Sequence, residues 1–221
     1  MENIHIDKAV SLLDTKYIRV FDLQYAQGKH YYDATRNDLG SLVAMMSDDD
    51  FVSQCPNAVT CAVICCPDKG EPMLLMAYEY RYPTGRFLLS PPAGLIDRTD
   101  GNNRDKAVIS AAKREIYEET GIKCDEEDVI HIINPLLFSS PGMTDESNAM
   151  ACIIKKHFDE RMLSQAGAEG TECFDGFQLL TSKEALKVLT DGKDKNGNYY
   201  SVYTWIALMY FVSDMWKEYV K

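Results

Sequence analysis

Three carboxylates crowd one turn of chain in the segment Arg114-Glu115-Ile116-Tyr117-Glu118-Glu119-Thr120-Gly121-Ile122. At helical spacing Glu115, Glu118 and Glu119 stand at i, i+3 and i+4, so their side chains converge on one patch. Like charges so close repel. Arg114 can offset part of that repulsion, and a divalent ion such as Mg²⁺ can offset more, because hard cations take oxygen ligands. A solvated acidic helix face is the alternative reading, since charge runs on helices are common.

The elements around this segment must position it. Val108, Ile109, Ala112 and Ile116 form an apolar stripe, and Gly121 follows as a residue able to take the left-handed conformation that ends a helix. The spacing predicts a helix from about Asp105 to Thr120. Upstream, Pro91-Pro92-Ala93-Gly94-Leu95-Ile96-Asp97 reads as a loop whose glycine lets backbone approach the glutamates, where a carbonyl can join a metal shell.

These residues resemble the Nudix hydrolases, whose signature is a glycine, five residues, a glutamate, seven residues, then Arg-Glu-apolar-x-Glu-Glu-x-Gly-apolar. The second half matches without exception. In the first half Gly94 is followed by a stretch about six residues longer than the pattern. Counted back from Arg114, Lys106 takes the place of the first glutamate, and Asp105 is the expected stand-in.

Composition agrees with an enzyme domain. The 221 residues, 46% of them hydrophobic, suffice for one large domain, or one with a small addition. The polar start and the lack of a long apolar run point to a soluble cytoplasmic protein without a membrane partner. Seven cysteines with no Cys-x-x-Cys pair argue against a disulfide framework and a zinc site, and Cys61, Cys65 and Cys66 read as small core hydrophobes. A net charge of −11 disfavours nucleic acid. It does not disfavour a phosphate ligand, because metal ions at the glutamates would invert the local field.

Along the chain, residues 17–23 and 30–35 read as a hairpin around Ala26-Gln27-Gly28-Lys29, too small to stand alone. Ser47 to Asp50 reads as a solvated turn marking a boundary, so residues 1–50 form an N-terminal β-hairpin region and possible dimerisation element, and residues 51–221 the main domain. Strands are expected at 59–66, 73–78, 86–90, 129–134, 136–138, 148–155 and 176–180, with helices at 183–189 and 201–219. The fold class is α/β (α+β), a mixed sheet covered on both faces. Asp191 to Asn198 fails the calcium-loop register and reads as a polar turn.

The resemblance extends to the Nudix branch that hydrolyses ADP-ribose and related nucleoside diphosphate sugars. It implies an α/β/α sandwich with a small β-rich N-terminal extension, a homodimer, and Mg²⁺, with Mn²⁺ as a possible substitute. Glu79-Tyr80-Arg81-Tyr82-Pro83 resembles that branch's strand end, so Arg81 is the implied phosphate ligand. The loop Pro92 to Asp97 implies Ala93 as a carbonyl metal ligand beside Glu115, Glu119 and Glu118, with Arg114 holding the glutamates. Ser139 to Thr144 resembles the loop over the terminal ribose, and Leu95 and Gly142 join the implied substrate contacts. Tyr17 and Tyr31 fall where adenine-stacking aromatics occur, although strand packing is the alternative, and Arg36 falls where an arginine reaches a neighbouring subunit's site. The general base is implied on the loop Ala166 to Phe174, with Glu172 preferred to Glu169. One departure stands out: Ser90 occupies a position where the branch usually carries a glutamate. The implied activity is hydrolysis of ADP-ribose to AMP and ribose 5-phosphate. Another nucleoside diphosphate derivative, a dinucleotide or nucleotide cofactor, is the alternative substrate, and a silent ADP-ribose-binding module the alternative role.

Overall fold

The computed structural model describes residues 5–167 and 172–220. The N-terminal region is a sheet of three antiparallel strands, β1 (Lys8–Asp14), β2 (Arg19–Ala26) and β3 (Lys29–Thr35), in the order β1-β2-β3. The expected hairpin is its second and third strands. β1 is extra, and largely exposed, which is why its alternation is too weak to read. Phe21, Leu23 and Leu42 give this sheet a small core of its own.

The residues Asp48 to Asp50 open a short helix, α1 (Asp48–Ser53), rather than a free turn. The Ser47 hydroxyl accepts from the Asp50 amide, and three aspartates in the first turn complement the positive end of the helix.

A second, seven-stranded sheet forms the main body, from β4 (Ala58–Cys65), β5 (Met73–Arg81), β6 (Arg86–Ser90), β7 (Ala93–Leu95), β8 (Val129–Phe138), β9 (Ser147–Lys155) and β10 (Phe174–Leu180). Its backbone order is β10-β5-β4-β9-β8, with β6 on β5 and β7 on β4. Central β4 and β9 pair in parallel and are buried on both faces, hence their near-continuous apolar sequences. Val59, Cys61, Val63 and Leu75 pack beneath helix α2 (Arg104–Thr120). Ala62, Ile64, Leu74 and Met76 face the opposite layer, α3 (Ser182–Asp191) and α4 (Val202–Val212). Both faces are covered, as the apolar strands require.

Three further boundaries differ from expectation. Ala93 to Leu95, expected in a loop, pairs with Thr60 to Ala58 as β7. Residues 129–138 form one strand, because the register shifts past Pro135 while the Asn134 side chain accepts the Leu136 amide. The last helix stops at Val212; Asp214 takes a left-handed conformation, and Met215–Tyr219 continues as a 3-10 turn. Among the described residues, no helix is long and apolar enough to cross a membrane.

Candidate active site

Helix α2 is sealed at both ends by its sequence. The Asn103 side chain accepts from the amides of Asp105 and Lys106, and Gly121 closes the C-terminus at φ 75°. Between them Ala107, Val108, Ala111, Ala112 and Ile116 are buried against the sheet. Glu115 and Glu119 are buried with them, only 6% and 5% exposed, whereas the Glu118 side chain lies at the rim.

The β7 backbone meets these carboxylates directly. The Ala93 amide donates to Glu119 Oε2 at 3.1 Å. At Gly94 an added Cβ would lie 1.9 Å from Glu115 Cδ and 2.2 Å from both of its oxygens, so only glycine allows this approach.

Arg114 ties the loop to the helix. Its Nη1 donates to Glu115 at 2.6 Å and to Glu118 at 3.1 Å, while Nη2 donates to the Leu95 carbonyl at 2.9 Å and to Asp100 at 3.0 Å. Asp100 is the residue that sequence reasoning missed. Asp105, the expected stand-in for the first signature glutamate, is exposed and pairs with Arg104 at 3.6 Å. Counting forward from Gly94 instead of back from Arg114 leads to Asp100, five residues intervening. A reciprocal pair of bonds between Asp97 and Asp100 fixes this turn before the insertion begins.

Burial pushes the Glu119 carboxyl up to about 9, with the charges of Glu79, Glu115 and Glu172 adding to it and the Ala93 amide opposing. Burial also raises Glu115; Arg114 works against the shift, and Glu118 and Glu172 add to it. Burial disfavours the charge on Arg114, but the bonds and charges of Asp100 and Glu115 outweigh that and hold it protonated.

The end of β5 closes the opposite side. Arg81 is half exposed and paired with Glu79 at 2.6 Å. Glu79, which sequence reasoning treated only as part of a motif, is itself largely buried and raised by burial, with Arg81 opposing and Glu172 adding. Glu172 is brought alongside because the Tyr80 amide donates to the Cys173 carbonyl at 2.8 Å. The preceding segment also reaches α2: an added Cβ on Gly167 would lie 2.4 Å from the Glu118 carbonyl oxygen. Glu169 lies outside the described residues.

The other expected substrate contacts divide. The Tyr31 hydroxyl donates to the Gly142 carbonyl at 2.8 Å, joining the N-terminal sheet to the loop Ser139 to Thr144. Arg36 pairs with Glu146 at 2.8 Å. With Leu95, Asn57, Arg98 and Asn102 it lines a cleft of about 560 Å³ beside the insertion. Tyr17 is 69% exposed on the β1–β2 turn, its ring meeting the Lys16 ammonium rather than the glutamates.

Among the described residues no three His, Cys, Asp or Glu side chains already stand as a metal cage, since Glu115 and Glu118 lean on Arg114. The donor set nevertheless fits a hard divalent cation. Carboxylates raised by burial and by one another's charge are what such an ion neutralises.

The family described as NUDIX domain matches residues 56–202, well over half of the chain. Nudix hydrolase 14, chloroplastic, of Arabidopsis thaliana is 34% identical over 84 residues, covering 35% of this chain and 26% of that protein. Putative nudix hydrolase 2 of Caenorhabditis elegans is 31% identical over 121 residues, covering 55% of this chain and 45% of that one. The chain thus matches less than half the length of either relative. A crystal structure of an ADP compounds hydrolase superposes with a TM-score of 0.61 over 99% of this chain and 97% of that one at 14% identity, a likeness of fold.

Proposed function

Because the chain belongs to the Nudix family, we propose that it hydrolyses the diphosphate linkage of ADP-ribose or a related nucleoside diphosphate sugar, giving AMP and a sugar phosphate. One observation carries the reading. Glu119 is held by the Ala93 amide, and Glu115 is seated under Gly94, beside a strand end that offers the Arg81 guanidinium. A planar fork of donors suits a diphosphate. The solved ADP compounds hydrolase of the same fold supports an ADP-containing substrate.

In this reading Glu115, Glu119 and Glu118, with the Ala93 carbonyl, hold Mg²⁺, or Mn²⁺ in its place. When bound, the ion supplies charge that offsets the phosphate oxygens and eases ionisation of the attacking water. Arg81 binds and orients the diphosphate. Glu172 accepts the proton from water. Arg114, locked by Asp100 and Leu95, keeps the glutamates facing the loop. Leu95 and Gly142 border the sugar, and Tyr17 and Tyr31 offer ring faces for adenine, with the N-terminal region of residues 1–50 pairing two copies into a dimer. A cytoplasmic setting completes the proposal.

The test is direct. With Mg²⁺ the purified protein should release AMP and ribose 5-phosphate from ADP-ribose, and Glu119→Gln should lower kcat by about 10²–10³-fold while the far-ultraviolet spectrum stays unchanged. A variant as fast as the parent refutes the site. Ser90, in place of a glutamate, favours a second reading as a binding module. Tight ADP-ribose binding without product would establish that version, and faster turnover of another nucleotide derivative would reassign the substrate.

A further inference from the structure

Four separate parts of the chain meet at the cleft of about 560 Å³ beside the insertion. Arg36 reaches it from just past β3, Asn57 from just before β4, Arg98 from the 3-10 turn Arg98–Asp100, and Asn102 from the extra residues, with Leu95 and Ile96 as apolar lining. Its size lies within the range of small-molecule sites, about 300–1,000 Å³.

Local bonding decides what these side chains can offer. Asn57 Oδ1 accepts the Ser147 amide at 2.9 Å and the Ser147 hydroxyl at 3.2 Å, so the carboxamide is oriented and its NH₂ is the end left to donate. The Asn57 backbone is tied as well, its amide to the Ser147 carbonyl at 3.0 Å and its carbonyl to the Ile96 amide at 2.9 Å. Arg36 engages Glu146 through Nε at 2.8 Å, which leaves the two terminal nitrogens of its fork without a partner among the described residues. The Arg98 side chain makes no hydrogen bond or ion pair among the described residues. Its backbone is nevertheless fixed, because the Asp97 amide donates to Asp100 Oδ2 at 2.8 Å and Asp100 holds Arg114 at 3.0 Å.

The charges point the same way. Two carboxylates stand at this cleft, and each already has a cation: Glu146 has Arg36, and Asp97 lies 3.7 Å from Arg114 Nη2. In a chain of net charge −11, Arg98 is a guanidinium that none of them balances. The oriented groups of the cleft are therefore donors, which suit a ligand rich in acceptor oxygens. A phosphate monoester is such a group, carrying nearly two negative charges near neutral pH and enough oxygens for a guanidinium fork and further donors at once. The cleft also begins where the diphosphate would end: Leu95 follows Gly94, whose backbone lies against Glu115.

We propose that this cleft is a subsite for a phosphate monoester that the nucleoside diphosphate substrate carries in addition to its diphosphate, with Arg98 as the specificity-determining residue and Arg36 and Asn57 beside it. The inference deepens the proposed hydrolase reading and rests on it for the direction in which the ligand extends. It selects, among nucleoside diphosphate derivatives, those phosphorylated once more on either ribose.

Three probes test it: ADP-ribose, ADP-ribose bearing a phosphate on its terminal ribose, and ADP-ribose bearing one at the adenosine 2′-hydroxyl. Binding to the full chain is measured by calorimetry in chelator, and kcat/KM is measured with Mg²⁺. The parent should bind one phosphorylated probe about 10–100-fold more tightly than ADP-ribose, with a preference of similar size in kcat/KM, and the probe that gains shows which ribose carries the monoester. Arg98→Gln should remove most of that preference, and Arg98→Lys, which keeps the charge without the fork, should retain part of it. A ratio between two ligands on one protein is insensitive to partial misfolding. If the parent favours neither phosphorylated probe yet hydrolyses ADP-ribose, the inference fails alone and the hydrolase reading stands. If it hydrolyses none of the three but binds a phosphorylated probe more tightly through Arg98, the hydrolase reading fails and the subsite stands. A preference that survives Arg98→Gln also overturns the assignment.

Discussion

Replacing Gly94 by alanine puts the proposed site under a well-defined strain. The new Cβ would stand 1.9 Å from Glu115 Cδ, so the carboxylate must retreat by about 1.5 Å to reach the 3.4 Å at which ordinary contact begins. The obstacle is the end of a side chain rather than backbone, so the fold survives. Yet Glu115 cannot retreat freely, because Arg114 grips it at 2.6 Å and is itself held by Leu95 and Asp100. Overpacking of this kind costs about 1–3 kcal/mol, which for a chain of this size lowers Tm by roughly 2–12 °C. Activity should suffer more, since a displacement of about 1 Å in a positioning group can cost about 10²-fold. The expected pattern is a kcat lower by about two orders of magnitude with a modest loss of Tm, measured by steady-state kinetics with ADP-ribose and by a thermal melt. A Gly94→Ala protein that keeps kcat within about twofold would show that Glu115 has room to move without consequence, and the close approach of β7 would lose its catalytic meaning.

Two further outcomes depend on pH. Burial and its carboxylate neighbours raise Glu119 from 4.5 to about 9, so protonation favours the folded state of the metal-free protein. That stability is complete below about pH 4.5 and lost as pH climbs through about 9; Tm in chelator should fall across this window, and Mg²⁺ should restore more of it at pH 8 than at pH 6. A metal-free Tm that is flat in this range sinks the electrostatic account. At the foot of the N-terminal sheet, burial and the charge of Asp145 raise Asp33 from 3.8 to about 6, against the Asp145 amide. Its contribution is likewise full below pH 3.8 and lost as pH rises through about 6. Asp33 Oδ2 and Asp145 Oδ1 are buried without hydrogen-bond partners among the described residues, and an amide at position 33 offers a donor between them. Asp33→Asn should therefore raise stability at pH 8 by up to about 3 kcal/mol and flatten the dependence between pH 4 and 7, as measured by urea unfolding. Unchanged or lower stability at pH 8 counts against the carboxylate clash.

How much of this was legible beforehand depended on range. Glu115, Glu118 and Glu119 lie within one turn, and Gly121 follows directly, so local periodicity was enough to group them. Strands β4, β5 and β9 were legible for the same reason, their apolar runs being long and unbroken. Pro135 misled, because a residue without an amide hydrogen reads as a break while the strand passes it by shifting register. The three-residue strand β7 was invisible, since its hydrogen bonds come from β4, more than thirty residues upstream. Asp100 was hidden by counting from the wrong end of an insertion. The pairing of Arg36 with Glu146 joins residues more than a hundred positions apart, beyond the reach of any local pattern.

The turn between Asp97 and Asp100 has a practical corollary. Because it pins the guanidinium before the extra residues begin, and because Asn103 starts the helix afresh after them, the exposed Gly101-Asn102 step between these anchors bears little mechanical load. Chain length there is uncoupled from the register of the glutamates. A fluorophore-bearing or epitope peptide spliced at that step would sit on the lip of the cleft that Arg36, Asn57 and Leu95 line and report on what enters it, while the helix that carries the acidic groups kept its place.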